Sequence, residues 1–347
     1  MFIFNRKKLS PEIEAIWEEV KNKGYRKRAL LALIRKVEPL RRRAWRELLR
    51  QRPSNEDLRE VMSSSAELRM AAWRQLLRQK PTSYDFKNIL EYIEPLRVKA
   101  WRRLRWSGVT NLELCDIIRY VKPYREKAWR KLMWQGVTPD DLVYLIIHVP
   151  ELRDASWEKL KKDKPEPEDL YNVMNSVESL RREAWHVFEK KRPTNEYLRK
   201  IIVNIVELRD EAWEDFLRLR PDNYNLTMIM HDVPELRYRA WTVFEKNNPG
   251  NEDLRYILKN IETLRDLAWD KLNVHGMTNK DLCFIIRDVP SLADKAWRRL
   301  KKQGPNRDEL VFVTKYSRDF RREAEKMLDE IKLKRKQEDV VTKIKNL

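Results

Sequence analysis

The stretch ESLRREAWHVFEKKRPTNEYLRKIIVNI, residues 178–205, decides the fold because the chain repeats its pattern without an insertion from Ser10 to Ser317. The clearest marker is a tryptophan that returns every 28 residues and divides this range into eleven repeats. A period of this length is typical of proteins that stack one small structural element many times. The repeated tryptophans are Trp17, Trp45, Trp73, Trp101, Trp129, Trp157, Trp185, Trp213, Trp241, Trp269 and Trp297.

Each repeat contains two helix patterns separated by a short break. In the second repeat, Leu40, Ala44 and Leu48 are spaced four residues apart, with Trp45 beside them, which predicts an apolar stripe on the first helix. Prolines at its start and glycines just after it predict the two ends of this helix. The prolines are Pro39, Pro95, Pro123, Pro150, Pro234 and Pro290, and the glycines are Gly24, Gly108, Gly136, Gly276 and Gly304.

The second helix opens with a hydroxyl residue followed three residues later by an acidic residue. This pattern predicts a capping box, in which each side chain accepts a hydrogen bond from the other residue's backbone N–H. The pairs are Ser54 with Asp57, Thr82 with Asp85, Thr110 with Glu113, Thr138 with Asp141, and Thr278 with Asp281. Apolar residues such as Leu58 and Val61 follow. Because one helix pair cannot bury such a face alone, the pairs must stack on one another.

We therefore predict an all-α solenoid of eleven two-helix repeats over residues 10–317. A basic lead at residues 1–9 precedes it, and a charged capping helix at residues 318–347 closes it. Only six glycines in 347 residues argue against a β fold. No apolar run approaches the ~18–20 residues of a membrane span. We expect a cytoplasmic protein that does not contact a membrane.

The string Leu-Arg-x-x-Ala-Trp followed by Pro-Thr-Asn-x-x-Leu, as in Leu180–Leu198, resembles the α-helical repeats of the HEAT group. It resembles the leucine-rich repeat variant family more loosely, and the likeness extends over nearly the whole chain. The resemblance implies a curved scaffold that binds macromolecules, and some members of these families act on or hold nucleic acid. The cysteine cluster of some leucine-rich repeat variant proteins is absent from this sequence, so an iron–sulfur role is not expected.

An arginine recurs at one position of the first helix, inside its apolar arc. A charge at such a position needs a partner. We predict that these arginines form a structural ladder by pairing with first-turn carboxylates such as Asp57, Asp85, Asp141 and Asp253, or by stacking on the repeated tryptophans. The alternative is a row of phosphate clamps. The ladder residues are Arg41, Arg69, Arg97, Arg125, Arg153, Arg181, Arg209, Arg237 and Arg265.

The repeated tryptophans are expected in the core, each with an acceptor for its indole N–H. Varying residues at one outer position of the second helix are expected to face solvent, where recognition can be encoded. They are Arg59, Lys87, Cys115, Val143, Tyr171, Arg199, Thr227, Arg255, Cys283 and Val311.

A candidate binding site follows from the last turn of the first helix, which carries a cation in seven repeats, Arg50 and Arg78 among them. These cations either complement the helix dipole or form a positive track for phosphates. Trp106 and Trp134 replace the cation in adjacent repeats, and helical phase predicts that both face solvent. Aromatic rings among cations are typical of single-stranded nucleic-acid binding, although these indoles could instead cover the helix breaks. The surrounding cations are Arg102, Arg103, Arg105, Arg130 and Lys131.

The net charge of +19 is uneven, with +15 over residues 1–149, −3 over residues 150–289 and +7 over residues 290–347. Such a distribution favours an anionic partner for the N-terminal repeats, either nucleic acid or an acidic protein surface. Cys115 and Cys283 are six repeats apart, and the four histidines have no metal-ligand spacing. We expect a non-enzymatic binding protein without cofactor, metal or small-molecule substrate. A protein-interaction scaffold, or a structural subunit of a larger assembly, is the alternative.

Overall fold

The computed structural model describes residues 9–345, and within that range all side chains except those of residues 335 and 339–345. Most of the predicted basic lead, residues 1–8, and the last two residues of the predicted capping helix lie outside the described residues. In the described range the chain forms 23 α-helices and no β-strand. The predicted all-α fold of repeated helix pairs is confirmed.

Odd-numbered helices from α1 to α21 are the first helices of the repeats, and even-numbered helices from α2 to α22 are the second helices. The helices are α1 (Pro11–Asn22), α2 (Lys27–Lys36), α3 (Arg41–Arg50), α4 (Asn55–Ser64), α5 (Arg69–Arg78), α6 (Ser83–Tyr92), α7 (Arg97–Leu104), α8 (Asn111–Tyr120), α9 (Arg125–Gln135), α10 (Pro139–His148), α11 (Arg153–Lys162), α12 (Pro167–Ser176), α13 (Arg181–Glu189), α14 (Asn195–Asn204), α15 (Arg209–Arg218), α16 (Asn223–Asp232), α17 (Arg237–Lys246), α18 (Asn251–Asn260), α19 (Arg265–His275), α20 (Asn279–Asp288), α21 (Ala293–Gln303), α22 (Arg307–Tyr316) and α23 (Arg321–Lys345).

A single turn of 3₁₀-helix precedes most first helices, as at Glu38–Leu40 and Pro234–Leu236. The prolines that the sequence places at the start of the first helix lie in this turn, and the α-helix begins two or three residues after each proline. The tighter turn suits proline because its fixed φ fits a first turn and its missing N–H needs no acceptor there.

The predicted capping boxes are confirmed in all five second helices named for them. In α4, for example, the Asp57 backbone N–H donates to Ser54 Oγ at 3.1 Å, and the Ser54 backbone N–H donates to Asp57 Oδ2 at 2.7 Å. These bonds satisfy first-turn N–H groups that have no partner within the helix.

The break after each first helix contains a residue whose backbone φ is positive, in the left-handed region. The five predicted glycines adopt it, with φ between 70° and 98°. The same position is also left-handed in repeats without glycine, which the sequence did not predict. Each of these six residues stands before a proline, which disfavours the right-handed helical conformation of the preceding residue. They are Arg52, Lys80, Lys164, Arg192, Arg220 and Asn248.

The described chain divides into two compact units, an N-terminal unit that ends at Leu180 and a C-terminal unit that starts at Arg181. The repeat pattern runs through this position without an insertion, so the sequence showed no boundary there. Within each unit, successive second helices pack directly on one another, for example α6 on α8 and α18 on α20. Inside each unit a second helix also packs along the first helix that follows it, for example α10 on α11 and α14 on α15, and α23 packs on α22 in the same way.

Most of the repeated tryptophans are buried, as expected for a core. Trp185 and Trp213 are each 1% exposed, whereas Trp101 and Trp129 are only partly buried. The expected repeated acceptor for the indole N–H was wrong. Trp297 Nε1 donates to Glu323 at 2.6 Å, but Trp157 Nε1 is buried without a partner in the part of the chain that the structure describes.

Candidate nucleic-acid interface

The ladder arginines bind backbone carbonyls rather than the predicted carboxylates. In each repeat with a defined contact, the arginine Nε–H donates to the carbonyl seven residues earlier, at the end of the preceding second helix, as for Arg125 with Ile118 at 2.8 Å. The same bond forms at Arg41, Arg69, Arg97, Arg153, Arg209, Arg237 and Arg265. The last carbonyls of a helix lack intrahelical donors and carry partial negative charge, so they suit a guanidinium.

In several ladder arginines the remaining guanidinium nitrogens reach glutamates of the 3₁₀ turns. Arg125 Nη1 lies 2.7 Å from Glu151, and Arg181 pairs with Glu207. Both arginine side chains are 16% exposed. Arg125 thus connects the preceding second helix, its own first helix and the following repeat, because the planar guanidinium donates in several directions at once.

The first-turn carboxylates form a separate ladder between repeats. The amide of an asparagine that begins one second helix donates to the capping carboxylate of the next, 30 residues later. Asn55 Nδ2 reaches Asp85 at 2.8 Å, and Asn251 Nδ2 reaches Asp281 at 2.8 Å. Arg59 and Arg255 add ion pairs to the same two carboxylates. The sequence showed the capping role of these residues but gave no sign of this contact between repeats.

Asp281 and Asp169 occupy the same position of the repeat and differ in the pKa of the carboxyl. Burial alone would raise the pKa of Asp281, but hydrogen bonds from Thr278 and Asn251 and the charge of Arg255 outweigh it and lower the pKa. At Asp169 burial dominates and raises the pKa. The preceding repeat supplies no donor there, because proline and valine replace the asparagine and arginine.

The variable position of the second helix does not face solvent as the sequence led us to expect. Cys115, Val143 and Thr227 are buried against the next repeat, and Arg59 pairs with the capping Asp85. Only in the last repeat does this position face outward, where Val311 is 46% exposed. That expectation was wrong because this side of the helix is the one on which the following second helix packs.

The predicted exposure of Trp106 and Trp134 is confirmed. Trp106 lies in the turn after α7 and is 79% exposed, and Trp134 lies in the last turn of α9 and is 80% exposed. A cation lies beside each ring. Arg105 Cζ is 5.1 Å from the centre of the Trp106 ring, and Lys131 Nζ is 4.6 Å from that of Trp134.

A groove of about 540 Å³ brings Trp106 together with Arg102 and Arg103. Its opposite wall comes from the preceding repeat and includes Leu77 and Phe86. Arg102 and Arg103 are exposed, and neither has a carboxylate within ion-pair distance among the described residues. The groove thus combines an apolar wall, an exposed indole and two uncompensated guanidinium groups.

The other predicted site residues are arranged differently. Arg130 pairs with Glu126 at 3.2 Å and Arg50 pairs with Glu47 at 2.8 Å, so both charges are partly compensated. Arg78 is exposed at the end of α5. Arg130, Lys131 and Trp134 form a second cluster on α9 beside the one around Trp106.

Sequence reasoning did not single out a group of exposed tyrosines on second helices of the N-terminal unit. Tyr84, Tyr92 and Tyr120 are 56%, 69% and 52% exposed. The cation Lys87 near Tyr84 is paired with Asp116 at 2.7 Å, whereas Arg119 Cζ lies 4.9 Å from the centre of the Tyr120 ring. The helical phase of these tyrosines was the signal that could have revealed them.

Neither cysteine has the environment of a reactive thiol. Burial raises the pKa of Cys115 and of Cys283 to about 12, so both thiols stay protonated near neutral pH. Among the residues that the structure describes, no group of three or more histidine, cysteine or acidic side chains is placed to hold a metal ion.

The chain matches no known protein family model, no curated protein and no solved structure. The likeness to HEAT repeats therefore rests on the sequence pattern and the helix-pair architecture. Within the described residues, every helix is too short or too polar to cross a membrane.

Proposed function

We propose that this helical-repeat protein binds single-stranded nucleic acid through its N-terminal unit, with cations neutralising phosphates and exposed indoles stacking on bases. The observation that carries this proposal is the pair of tryptophans, Trp106 and Trp134, each about four-fifths exposed and each beside a cation. An exposed aromatic ring beside a cation offers a face for base stacking together with a charge for the phosphate. The cytoplasm remains the predicted compartment.

The charge around the indoles favours nucleic acid over an apolar partner. Arg102 and Arg103 line the groove beside Trp106, and residues 1–149 carry a net charge of +15. Stacking on an aromatic ring contributes about 1–3 kcal/mol per base and tolerates any sequence, so we propose affinity for single strands without base readout.

A fluorescence-anisotropy titration with a labelled ten-nucleotide uridine RNA tests the proposal. Trp106→Ala/Trp134→Ala should weaken binding at least about tenfold, since two lost stacks of ~1 kcal/mol each exceed the 1.4 kcal/mol of one decade. Tyr224→Ala/Tyr238→Ala is the matched control, because these rings are 64% and 60% exposed but lie in the stretch of net charge −3. Equal affinities for the tryptophan variant and the control would refute the proposed site.

Salt dependence tests the proposed class of partner. Binding should weaken steeply between about 50 and 200 mM salt, because neutralised phosphates release counterions. The alternative, a protein-interaction scaffold, is favoured by the exposed tyrosines Tyr84, Tyr92 and Tyr120, which lie on second helices outside the groove beside Trp106. A protein complex that resists salt and depends on these tyrosines, with no detectable RNA binding, would favour that alternative.

A further inference from the structure

The groove beside Trp106 has a counterpart in the C-terminal unit, seven repeats later. Arg298 and Arg299 occupy the repeat positions of Arg102 and Arg103, 196 residues further along the chain. They line a groove of about 880 Å³ between α19 and α21. The same structural element thus recurs outside the candidate site that the sequence predicted around Trp106 and Trp134, although Lys302 of this groove is one of the seven last-turn cations.

The C-terminal groove is rich in uncompensated cations. Lys295, Arg298 and Lys302 are exposed, and none has a carboxylate within ion-pair distance in the described part of the chain. Their neighbour Lys301, by contrast, pairs with Glu323 at 2.6 Å. Four lining residues carry positive charge, while Asp270 and Asp294 carry negative charge, so the lining is positive overall.

The two grooves differ in whether they offer a ring for stacking. Lys302 stands at the repeat position of Trp106. The aromatic residue of the C-terminal groove, Trp269, is only 3% exposed, and Lys295 Nζ lies 4.5 Å from the centre of its ring. This groove therefore presents charge to a ligand without an exposed aromatic surface.

We infer that the groove between α19 and α21 is a second nucleic-acid site, which holds the phosphodiester backbone by charge and without base stacking. The inference rests on the proposed function for the identity of the ligand. It adds that one chain binds two short single strands, and that the two sites differ in their need for bases. Phosphate contacts by lysine and arginine supply sequence-independent affinity, as such a site requires.

Isothermal titration of the full chain measures the number of sites directly. Two ten-nucleotide uridine strands should bind per wild-type chain at about 50 mM salt, and one should bind to Arg298→Gln/Lys302→Gln. The matched control is Lys301→Gln/Lys315→Gln, which removes the same charge from the same region outside the groove lining.

An abasic ten-unit strand separates this inference from the proposed function. The C-terminal site should bind it as well as uridine RNA, whereas Trp106→Ala/Trp134→Ala should weaken only the binding of RNA with bases. Unchanged stoichiometry in Arg298→Gln/Lys302→Gln, or an equal loss in the control, would overturn the inference and leave the N-terminal site intact. Loss of one site in Arg298→Gln/Lys302→Gln, with no effect of the tryptophan substitutions, would sustain the inference and reject the proposed N-terminal site. Absence of any strand binding at 50 mM salt would overturn both.

Discussion

The contribution to stability of the contact between repeats at the capping carboxylates can be measured by comparing Asp281→Asn with Asp169→Asn. Both aspartates cap a second helix at the same position of the repeat, and both are nearly buried, at 2% and 7% exposure. They differ in the donors that the preceding repeat offers. Asp281 receives the Asn251 amide at 2.8 Å and the Arg255 guanidinium, whereas Pro139 and Val143 precede Asp169 in the equivalent places.

The expected magnitude follows from the hydrogen bonds that asparagine cannot replace. The Asp281 carboxylate accepts from the Thr278 backbone N–H at 2.9 Å and from its hydroxyl at 2.7 Å, besides Asn251 and Arg255. An asparagine has one acceptor oxygen and no charge, and a hydrogen bond to a charged group is worth about 1.5–3 kcal/mol. We expect Asp281→Asn to lower the free energy of unfolding by about 2 kcal/mol and Asp169→Asn to change it by less than about 0.5 kcal/mol.

The two variants should also differ in their pH dependence. Because folding lowers the pKa of Asp281, its stabilisation is fully present above the ordinary value of 3.8 and is lost as pH falls through the lowered pKa. The effect of Asp281→Asn should therefore shrink only in acid. Because folding raises the pKa of Asp169, its ionised form costs stability at neutral pH, and this cost disappears as pH falls through the raised pKa.

Urea unfolding followed by far-UV circular dichroism measures these differences, and amide hydrogen exchange assigns them to α18 and α20 or to α12. Each variant is compared with wild type between pH 7 and pH 3. Equal losses of stability for Asp281→Asn and Asp169→Asn at pH 7 would refute the reasoning. That result would mean that the cap alone, and not the bond between repeats, determines the contribution of the carboxylate.

Two further stability predictions concern the break and the arginine ladder. Gly136 has a φ of 98° and a side chain there would meet no atom within 4 Å, so Gly136→Ala should cost about 1 kcal/mol from backbone conformation alone. Because Lys80 already holds a φ of 52° without being glycine, Lys80→Gly should raise the free energy of unfolding by about 1 kcal/mol, and Lys80→Ala should leave it nearly unchanged. Thermal unfolding measures all three variants, and no stabilisation by Lys80→Gly would contradict the argument. Arg125→Lys keeps the charge, but the lysine ammonium cannot donate to both the Ile118 carbonyl and Glu151. Chemical denaturation should therefore show a free energy of unfolding lower by about 1–2 kcal/mol. The control Arg74→Lys, at an exposed position, should be neutral, and equal behaviour of the two lysine variants would exclude a role for the fork-shaped guanidinium.

Much of the local structure could be predicted because it depends on near neighbours in the chain. The Ser54 and Asp57 cap involves residues three apart, and the left-handed turn at Gly136 involves one residue. Helical phase likewise predicted that Trp106 and Trp134 face solvent. Each of these features is determined within one or two helical turns.

The partners of the recurrent charges could not be predicted in the same way. Arg125 stands near both the capping carboxylates and the end of the preceding helix in the repeat pattern, and only the packed helices show that it binds the Ile118 carbonyl. Cys115 and Val143 vary between repeats as surface residues do, yet the neighbouring second helix buries them. Phase within one helix indicates an outward face but does not show which part of it the next repeat covers.

The sequence by itself determined the 28-residue period, the two helices of each repeat, their capped ends and the surplus of positive charge. Tertiary structure decided which side chains 26 to 30 residues apart form contacts, as Asn251 does with Asp281. It also decided which cations that line a groove, such as Arg298 and Lys302, have no ion-pair partner among the described residues. The physical reason is that caps and helical phase arise from interactions within a few residues. Contacts between repeats depend on the distance and angle at which whole helices pack, and these are set by the combined shape of many side chains.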